Sequence, residues 1–226
     1  MKKMTFIFLF VALLSGIAAA QKTKPWSEWT KDEVDKMLNK SAWGHTVVNT
    51  DTSGKFDDLG QSRVIGSSAE AIAYNYTIRF FSAKPMREAF ARKITLDNPK
   101  IQPVQLQNFV NGDYSDSIVV AVTFDSPDRR YLGIIQTAFH NATTELLQGK
   151  AYLELKDGKH VLIDEYSPPS KDGTGAKFVF PRNVDGKPFA SGDKEVLRFV
   201  AIMGDGVQMS WRFKMSDMMY DGKLEY

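Results

Sequence analysis

Alternation of apolar and polar residues predicts β-strands in several parts of the chain. From Ile72 to Phe80 the even positions are apolar and the positions between them are mostly polar, and Val207 to Met215 alternates with its odd positions apolar. This period of two is typical of a strand with one buried face. Val196 to Met203 is apolar at nearly every position except Arg198, which predicts a strand covered on both faces.

Other segments are predicted as strands from their composition and turn residues. Ile118 to Phe124 is a β-branched run, and Tyr131 to Phe139 is predicted as its partner strand. Phe178 to Phe180 is predicted as a further short strand. Between Tyr152 and Ile163, Asp157-Gly158 predicts a hairpin with a type I′ turn, because glycine supplies the positive φ that this turn requires.

Two short helices interrupt this β pattern. In the segment from Trp26 to Ser41, Thr30 followed three residues later by Glu33 predicts a capping box at the start of a helix. Trp29 is expected to pack on Val34 as the hydrophobic staple of that helix. The second helix is predicted to begin near Lys84, with a proline at its first position.

Together these elements predict a mainly β fold with two short helices, in the α+β class, built as a β-sandwich or a barrel-like sheet. A single β-rich domain over residues 21–226 is the simplest organisation. The alternative divides the chain into an α+β part over residues 21–105 and a β-sandwich part over residues 106–226.

Residues 1–20 have the features of a secretory signal peptide. Lys2 and Lys3 form a basic start, Phe6 to Leu14 form an apolar stretch, and Ala18 and Ala20 are the small residues of an A-x-A cleavage site. We therefore expect cleavage before Gln21. The uncharged stretch is slightly shorter than the roughly 20 apolar residues of a membrane-spanning helix, so no stable membrane span is expected after cleavage.

Cleavage changes the charge and, with the cysteine content, indicates the compartment. Without Lys2 and Lys3 the basic residues fall from 29 to 27, and 27 acidic residues balance them. A neutral protein lacks the excess positive charge with which proteins bind nucleic acid, so no nucleic-acid partner is expected. The chain contains no cysteine. Small secreted domains of eukaryotes usually carry disulfides, so an exported bacterial protein, periplasmic or extracellular, is predicted.

Motifs for catalysis and metal binding are weak, and no catalytic residue, metal site or cofactor is predicted. His45, His140 and His160 are the three imidazoles, and no G-x-S-x-G motif surrounds a serine. Glu154 and Asp164 could form a carboxylate pair for glycoside hydrolysis if the hairpin brought them together. His160 and Asp164 are candidate metal ligands by their spacing, but on a strand they are expected to lie on a solvated face.

A methionine cluster and three tryptophans offer the remaining candidate sites. Five of the nine methionines lie close together near the end of the chain, namely Met203, Met209, Met215, Met218 and Met219. Thioethers can bind copper(I), although methionines on an apolar strand face are ordinary core residues. Trp26, Trp29 and Trp43 lie close together in the sequence and are the candidate binding residues, because exposed indoles stack on sugars or dock partners. The alternative is that they fix the first helix to the sheet.

Several segments resemble a family of uncharacterised exported bacterial proteins. The resemblance rests on the W-x-x-W start within Trp26 to Gly44, on Phe178 to Arg182, on Val196 to Gly204, and on the D-M-M-Y-D-G-K-L-E sequence from Asp217 to Glu225. These matches cover about a fifth of the chain. The resemblance implies secretion and a shared fold, and it implies no activity and no site residues.

The sequence thus predicts an exported, non-enzymatic binding or structural module of the bacterial cell envelope. The expected partner is an envelope protein or a glycan. Two alternatives remain open: a secreted hydrolase without a recognisable motif, and a methionine-based copper(I)-binding protein.

Overall fold

The computed structural model describes residues 24–51, 72–127, 129–192, 194–204 and 207–226. The predicted signal peptide at residues 1–20 lies outside these ranges. Within them the protein is mostly β and belongs to the α+β class, and no described helix is long and apolar enough to cross a membrane. The described helices are α1 (Lys31–Asn39), α2 (Lys84–Asp97), α3 (Gln107–Val110), α4 (Arg129–Asn141) and α5 (Thr144–Leu147).

The described strands form four antiparallel sheets, and none of these sheets closes into a barrel. The five-stranded sheet has the order β1-β2-β3-β7-β6, with β1 (Gly44–Asp51), β2 (Ile72–Phe80), β3 (Ser117–Asp125), β7 (Ala176–Pro181) and β6 (Glu165–Ser167). The four-stranded sheet has the order β11-β10-β4-β5, with β11 (Gln208–Lys214), β10 (Val196–Ile202), β4 (Ala151–Leu155) and β5 (His160–Leu162). Two small hairpins are β8 (Asn183–Val184) with β9 (Lys187–Pro188), and β12 (Met219–Tyr220) with β13 (Lys223–Leu224).

Most of the strands predicted from the sequence are confirmed. β2 has the predicted bounds, and β3, β7, β10 and β11 coincide with predicted strands to within a few residues. The predicted hairpin forms from β4 and β5, but the prediction of a type I′ turn is wrong. Leu155 N donates to Lys159 O and Gly158 N donates to Leu155 O, so the loop has three residues and only Gly158 adopts a positive φ, of 89°.

The two predicted helices are also confirmed. At the start of α1 the Thr30 hydroxyl accepts from Glu33 N, and the Glu33 carboxylate accepts from Thr30 N at 2.6 Å, which is the predicted capping box. Helix α2 begins at Lys84 with Pro85 in its first turn. Trp29 and Val34 are both buried in the core, as expected for the staple residues.

The prediction of only two short helices is wrong, since the described residues form five, and the segment from Tyr131 to Phe139 is part of helix α4. Ile135, Ala138 and Phe139 are buried while Ile134 is exposed, which is the i, i+3, i+4 spacing of a helix with one apolar face. The β-branched and aromatic content of the segment therefore indicated a strand where its periodicity specifies a helix.

The main core lies between the two larger sheets. Phe80 of the five-stranded sheet meets Phe213 of the four-stranded sheet edge to face, with ring centroids 4.7 Å apart. Phe199 of β10 contacts Phe178 and Phe180 of β7 at 5.3 Å and 6.2 Å. Edge-to-face pairs at such distances stabilise a core beyond the area they bury. The inner faces of the two sheets are thus joined by aromatic contacts.

Helices α1 and α2 cover the opposite face of the five-stranded sheet, and a buried arginine joins the layers. Arg79 of β2 donates to Leu38 O at 2.9 Å, to Asn39 Oδ1 at 2.8 Å and to Thr123 Oγ1 at 2.8 Å. Its guanidinium also lies 5.8 Å from the centroid of the Phe90 ring. The five-stranded sheet is therefore covered on both faces, by helices on one side and by the four-stranded sheet on the other.

The chain passes between the two larger sheets several times. After β3 in the five-stranded sheet come β4 and β5 in the four-stranded sheet, then β6 and β7 in the five-stranded sheet, and finally β10 and β11. The five-stranded sheet combines strands from both sides of residue 105, because β2 pairs with β3. Each larger sheet is therefore assembled from distant parts of the sequence.

Candidate functional site

The structure places all three candidate tryptophans in the core. Trp26, Trp29 and Trp43 expose 8%, 9% and 7% of their surface. Indoles with so little accessible surface cannot stack on a ligand without movement of their neighbours. Their burial favours the alternative in which they fix the first helix, and ligand binding by these residues stays a prediction.

Hydrogen bonds of the indoles agree with this structural role. Trp43 Nε1 donates to Glu225 O at 2.6 Å, and the Trp43 ring meets the Tyr220 ring edge to face at 6.0 Å. Trp29 Nε1 donates to Lys24 O at 3.0 Å. A buried indole N–H needs a partner, and both have one. Trp43 thereby ties β1 to the segment near residue 225.

An apolar cavity of about 440 Å³ lies beside helix α2 on the helix-covered face of the five-stranded sheet. We call it the aromatic groove, and define it by the rings of Phe81, Phe90 and Phe109 and by four charged residues at its rim, Lys93, Asp97, Asp172 and Lys177. Its volume falls within the range of about 300–1,000 Å³ that is common for small-molecule sites.

Three elements bring the aromatic rings together. Phe81 directly follows β2, and its backbone N–H donates to Val119 O at 2.7 Å, which fixes the end of that strand on β3. Phe90 lies on α2 and Phe109 on α3. The Phe81 ring centroid is 5.3 Å from that of Phe90 and 5.7 Å from that of Phe109. Because Phe81 and Phe90 are buried and Phe109 is half-buried, Phe109 is the most accessible ring of the groove.

Ion pairs organise the rim of the groove. Asp172 accepts from Lys177 Nζ at 2.8 Å, from Thr174 N at 2.9 Å and from Thr174 Oγ1 at 2.7 Å. Partial burial alone would raise the pKa of Asp172, but the hydrogen bonds from Lys177 and Thr174 outweigh it and hold the pKa well below its usual range. On α2, Lys93 forms an ion pair with Asp97. The rim therefore carries equal numbers of fixed positive and negative charges.

The geometry of the aromatic groove suits binding better than catalysis. The described residues that line it include no histidine, and its one hydroxyl nucleophile, Thr174, donates to a carboxylate whose lowered pKa makes it a weak base at neutral pH. An activated nucleophile needs a stronger base within hydrogen-bond distance. The groove can bury an apolar group and surround it with charged side chains.

The hydrolase and metal candidates from the sequence are not brought together as a site. The register of β4 and β5 places His160 opposite Glu154, and Asp164 lies beyond the end of β5. Glu154 instead forms an ion pair with Arg198 at 3.3 Å. Among the described residues no group of three or more His, Asp or Glu side chains could hold a metal ion.

The methionine cluster is mostly core. Met203, Met209, Met215 and Met218 are buried, and Met219 is exposed. Met209 lies on the same face of β11 as Phe213, as expected for residues that fill gaps in an apolar core.

Comparison of the chain with protein-family models, with curated proteins and with solved structures finds no match. The resemblance noted from the sequence therefore stays a prediction. The candidate site rests on the geometry of the chain itself.

Proposed function

We propose that this chain is an exported, non-enzymatic binding module of the bacterial cell envelope, and that its ligand inserts an apolar group into the aromatic groove. The observation that carries the proposal is the cavity of about 440 Å³ whose floor is made of three phenylalanine rings and whose rim carries charged pairs. Concave apolar sites with a few convergent polar groups are the usual form of a binding site.

The scaffold supports a binding role. We interpret the two larger sheets, joined by the aromatic contacts of Phe80 and Phe199, as a sandwich-like single domain over residues 21–226. The pairing of β2 with β3 across residue 105 favours one domain over the division into two. A rigid scaffold of this kind holds the rings of the groove at fixed separations, which lowers the entropy lost on binding.

Export is supported by the sequence. The basic start, the apolar stretch and the A-x-A pattern within residues 1–20 are the three parts of a signal peptide. The absence of cysteine is compatible with an oxidising compartment, because such a chain needs no disulfide to reach its folded state.

The groove favours an envelope protein over a glycan as the partner. The three rings of the groove are buried or half-buried in a cavity, where the hydroxyl groups of an inserted sugar would lose hydrogen bonds to water. An aliphatic or aromatic side chain of a partner protein would bury apolar surface there, and its charged neighbours would meet the rim residues Lys93 and Asp172.

One experiment tests export and binding together. The full chain is expressed in a bacterium, the protein is purified from the periplasm or culture medium, and its mass is measured; we expect a chain that begins at Gln21. This protein is then titrated with N-phenyl-1-naphthylamine, a neutral apolar fluorophore. Because Phe109 is the most accessible ring, we expect Phe109→Ala to weaken binding of the fluorophore about tenfold, the effect of losing one well-placed aromatic contact.

The matched control is Leu162→Ala, which removes an exposed apolar side chain from β5 on the other side of the molecule and should leave the affinity unchanged. Equal loss in both variants would show that the fluorophore binds apolar surface without preference and would contradict the groove as the site. Retention of the uncleaved precursor in the cytoplasm would contradict export.

A further inference from the structure

The outer face of the four-stranded sheet carries a second cavity, of about 400 Å³, between β4, β10 and β11. We call it the arginine cleft, and define it by Arg198, Arg212, Lys156 and Glu154, which line it. It lies on the side of the sheet that faces away from the core, because Leu197 and Phe213, the neighbours of its arginines along the strands, are buried inside. The cleft shares no lining residue with the aromatic groove.

Two arginines stand directly opposite each other in this cleft. The register of β10 and β11 pairs Arg198 with Arg212. Like charges at opposed positions of neighbouring strands destabilise a sheet. Such an arrangement indicates that the charges serve something other than the stability of the fold.

The two guanidinium groups differ in how they are held. Arg198 Nε donates to Ser210 Oγ at 2.9 Å, and Arg198 Nη1 donates to Glu154 Oε2 at 3.3 Å. These two bonds fix the orientation of Arg198 on the sheet. Arg212 is exposed and forms no hydrogen bond or ion pair with any residue that the structure describes. The cleft thus contains one oriented arginine beside one whose donors bond to none of the described residues.

The charge of the cleft favours an anion. Lys156, Arg198 and Arg212 are opposed only by Glu154 among the lining residues, and Lys214 extends the positive charge along the same face of β11. A guanidinium group presents paired N–H donors that match the two oxygens of a carboxylate. Two guanidinium groups on neighbouring strands can therefore hold one carboxylate between them.

The remaining groups of this face select among anions. Glu154 would repel a dianionic phosphate, but its free lone pairs and the Ser210 hydroxyl can bond the hydroxyl groups of a sugar. Tyr152 lies two residues before Glu154 on β4 and therefore on the same outer face. The centroid of its ring is 5.9 Å from that of the His160 ring. These two rings offer apolar surface against which the carbon face of a sugar ring can pack.

We propose that the arginine cleft binds an acidic sugar, with Arg198 and Arg212 on its carboxylate and with Glu154 and Ser210 on its hydroxyl groups. The ligand class is a uronic acid within a polysaccharide. This site is independent of the proposed use of the aromatic groove, because it lies on the opposite side of the molecule and takes a ligand of different chemistry.

The test uses the folded chain that begins at Gln21 and three probes measured by calorimetry at low ionic strength: the trimer of galacturonic acid, the neutral trimer of galactose, and inorganic phosphate. We expect the acidic trimer to bind and the other two to bind at least tenfold more weakly. The variant Arg212→Gln should lower the affinity for the acidic trimer at least tenfold. It should leave the urea midpoint unchanged or raised, because it removes one of two opposed like charges.

The matched control is Arg129→Gln, which removes an exposed arginine at the start of α4 and should leave the affinity unchanged. Equal losses in the two variants would show that only the overall charge matters, and would overturn the site. Equal affinity for the neutral trimer or for phosphate would overturn the acidic sugar as the ligand class. Failure of the acidic trimer to bind would overturn the proposal, whatever the fluorophore shows at the aromatic groove.

Discussion

The two larger sheets differ in what covers their outer faces, and two arginines show the difference. Arg79, under helices α1 and α2, is buried, and desolvation lowers its pKa to about 10; its guanidinium donates to two side chains and a backbone carbonyl. Arg198, on the open face of the four-stranded sheet, is half-exposed and pairs with the carboxylate of Glu154. A buried guanidinium needs all its donors satisfied, whereas an exposed one can leave donors for a ligand.

The same difference separates the two candidate sites. The aromatic groove forms on the covered face, where its rings belong to the core that holds α2 on the sheet. The arginine cleft lies on the open face, where Arg198 is half-exposed and Arg212 is exposed. We therefore expect substitutions on the covered face to affect stability strongly, and substitutions on the open face to affect it weakly.

The largest expected effect is that of Trp43→Ala. This change removes a buried indole, its hydrogen bond to Glu225 O and its contact with Tyr220, and we expect it to lower the free energy of unfolding by about 3–5 kcal/mol. Leu162→Ala on the open face, where the side chain is 41% exposed, should lower it by less than about 1 kcal/mol. Urea unfolding of both variants measures the two values.

Similar losses of unfolding free energy in the two variants would contradict the expected difference in stability between the covered face and the open face. A Trp43→Ala protein that kept its stability but lost capture of an envelope component would instead restore the tryptophans as binding residues.

A second effect, somewhat smaller, concerns two glycines with nearly the same backbone conformation. Gly175 has a φ of 93°, and a Cβ there would lie 2.2 Å from Val122 O. Gly158, in the hairpin of the four-stranded sheet, has a φ of 89° and no heavy atom within 4 Å of such a Cβ. We expect Gly175→Ala to cost about 3 kcal/mol or more, from strain together with the clash, and Gly158→Ala about 1 kcal/mol, from strain alone.

Thermal and urea unfolding of the two variants separates these contributions. If both substitutions had the same effect, the close approach of Gly175 to the backbone of β3 would have no energetic consequence.

The smallest effect concerns His45 of β1, which connects an edge strand of the five-stranded sheet to an edge strand of the four-stranded sheet. Its ring stacks on Trp211 of β11, with centroids 3.7 Å apart and planes inclined by 9°. Desolvation by burial lowers the pKa of His45 below its ordinary value of 6.5. The folded state thus favours the neutral ring, so stability is fully present above pH 6.5 and is lost as the pH falls through the lowered pKa.

His45→Phe keeps an aromatic ring at this position and removes the titration. We expect the urea midpoint of the variant to fall less than that of the natural sequence between pH 7.5 and pH 5. The effect should be small because His45 is only half-buried. Parallel midpoint curves for the two proteins would show that protonation of His45 does not affect the contact between the sheets.

Local patterns in the sequence predicted much of the fold. The alternation in β2 and the capping box of α1 depend on residues that are close in sequence, and both predictions are confirmed. Helix α4 was missed because Ile134, Ile135 and Phe139 have strand-forming side chains, although their spacing is helical. The turn type of the β4–β5 hairpin was wrong because Asp157-Gly158 also fits a three-residue loop with one positive φ.

The sites were harder to predict, because distant segments form them. Phe81, Phe109 and Asp172 carry no local pattern, and only the packing of α2 and α3 beside β7 brings them to one groove. The sequence contains one indication of the arginine cleft, because Arg198 interrupts an otherwise apolar strand. For Trp43 the sequence left two interpretations open, because sequence alone does not show whether an indole is exposed or, as here, buried against residues 220 and 225.

The passage of the chain between the two sheets also constrains the order in which they can form. Strand β3 pairs with β7, which follows it by about 50 residues. The chain between them includes β4 and β5, which belong to the other sheet. Pairings between such distant strands slow folding, because a long loop must close before any contact is gained. Before β7 pairs with β3, one edge of β3 has unpaired N–H and C=O groups, and its residues Val120 and Val122 lack their cross-strand neighbours Phe178 and Ala176. The newly made chain therefore passes through a stage in which this edge is open to pairing with other chains.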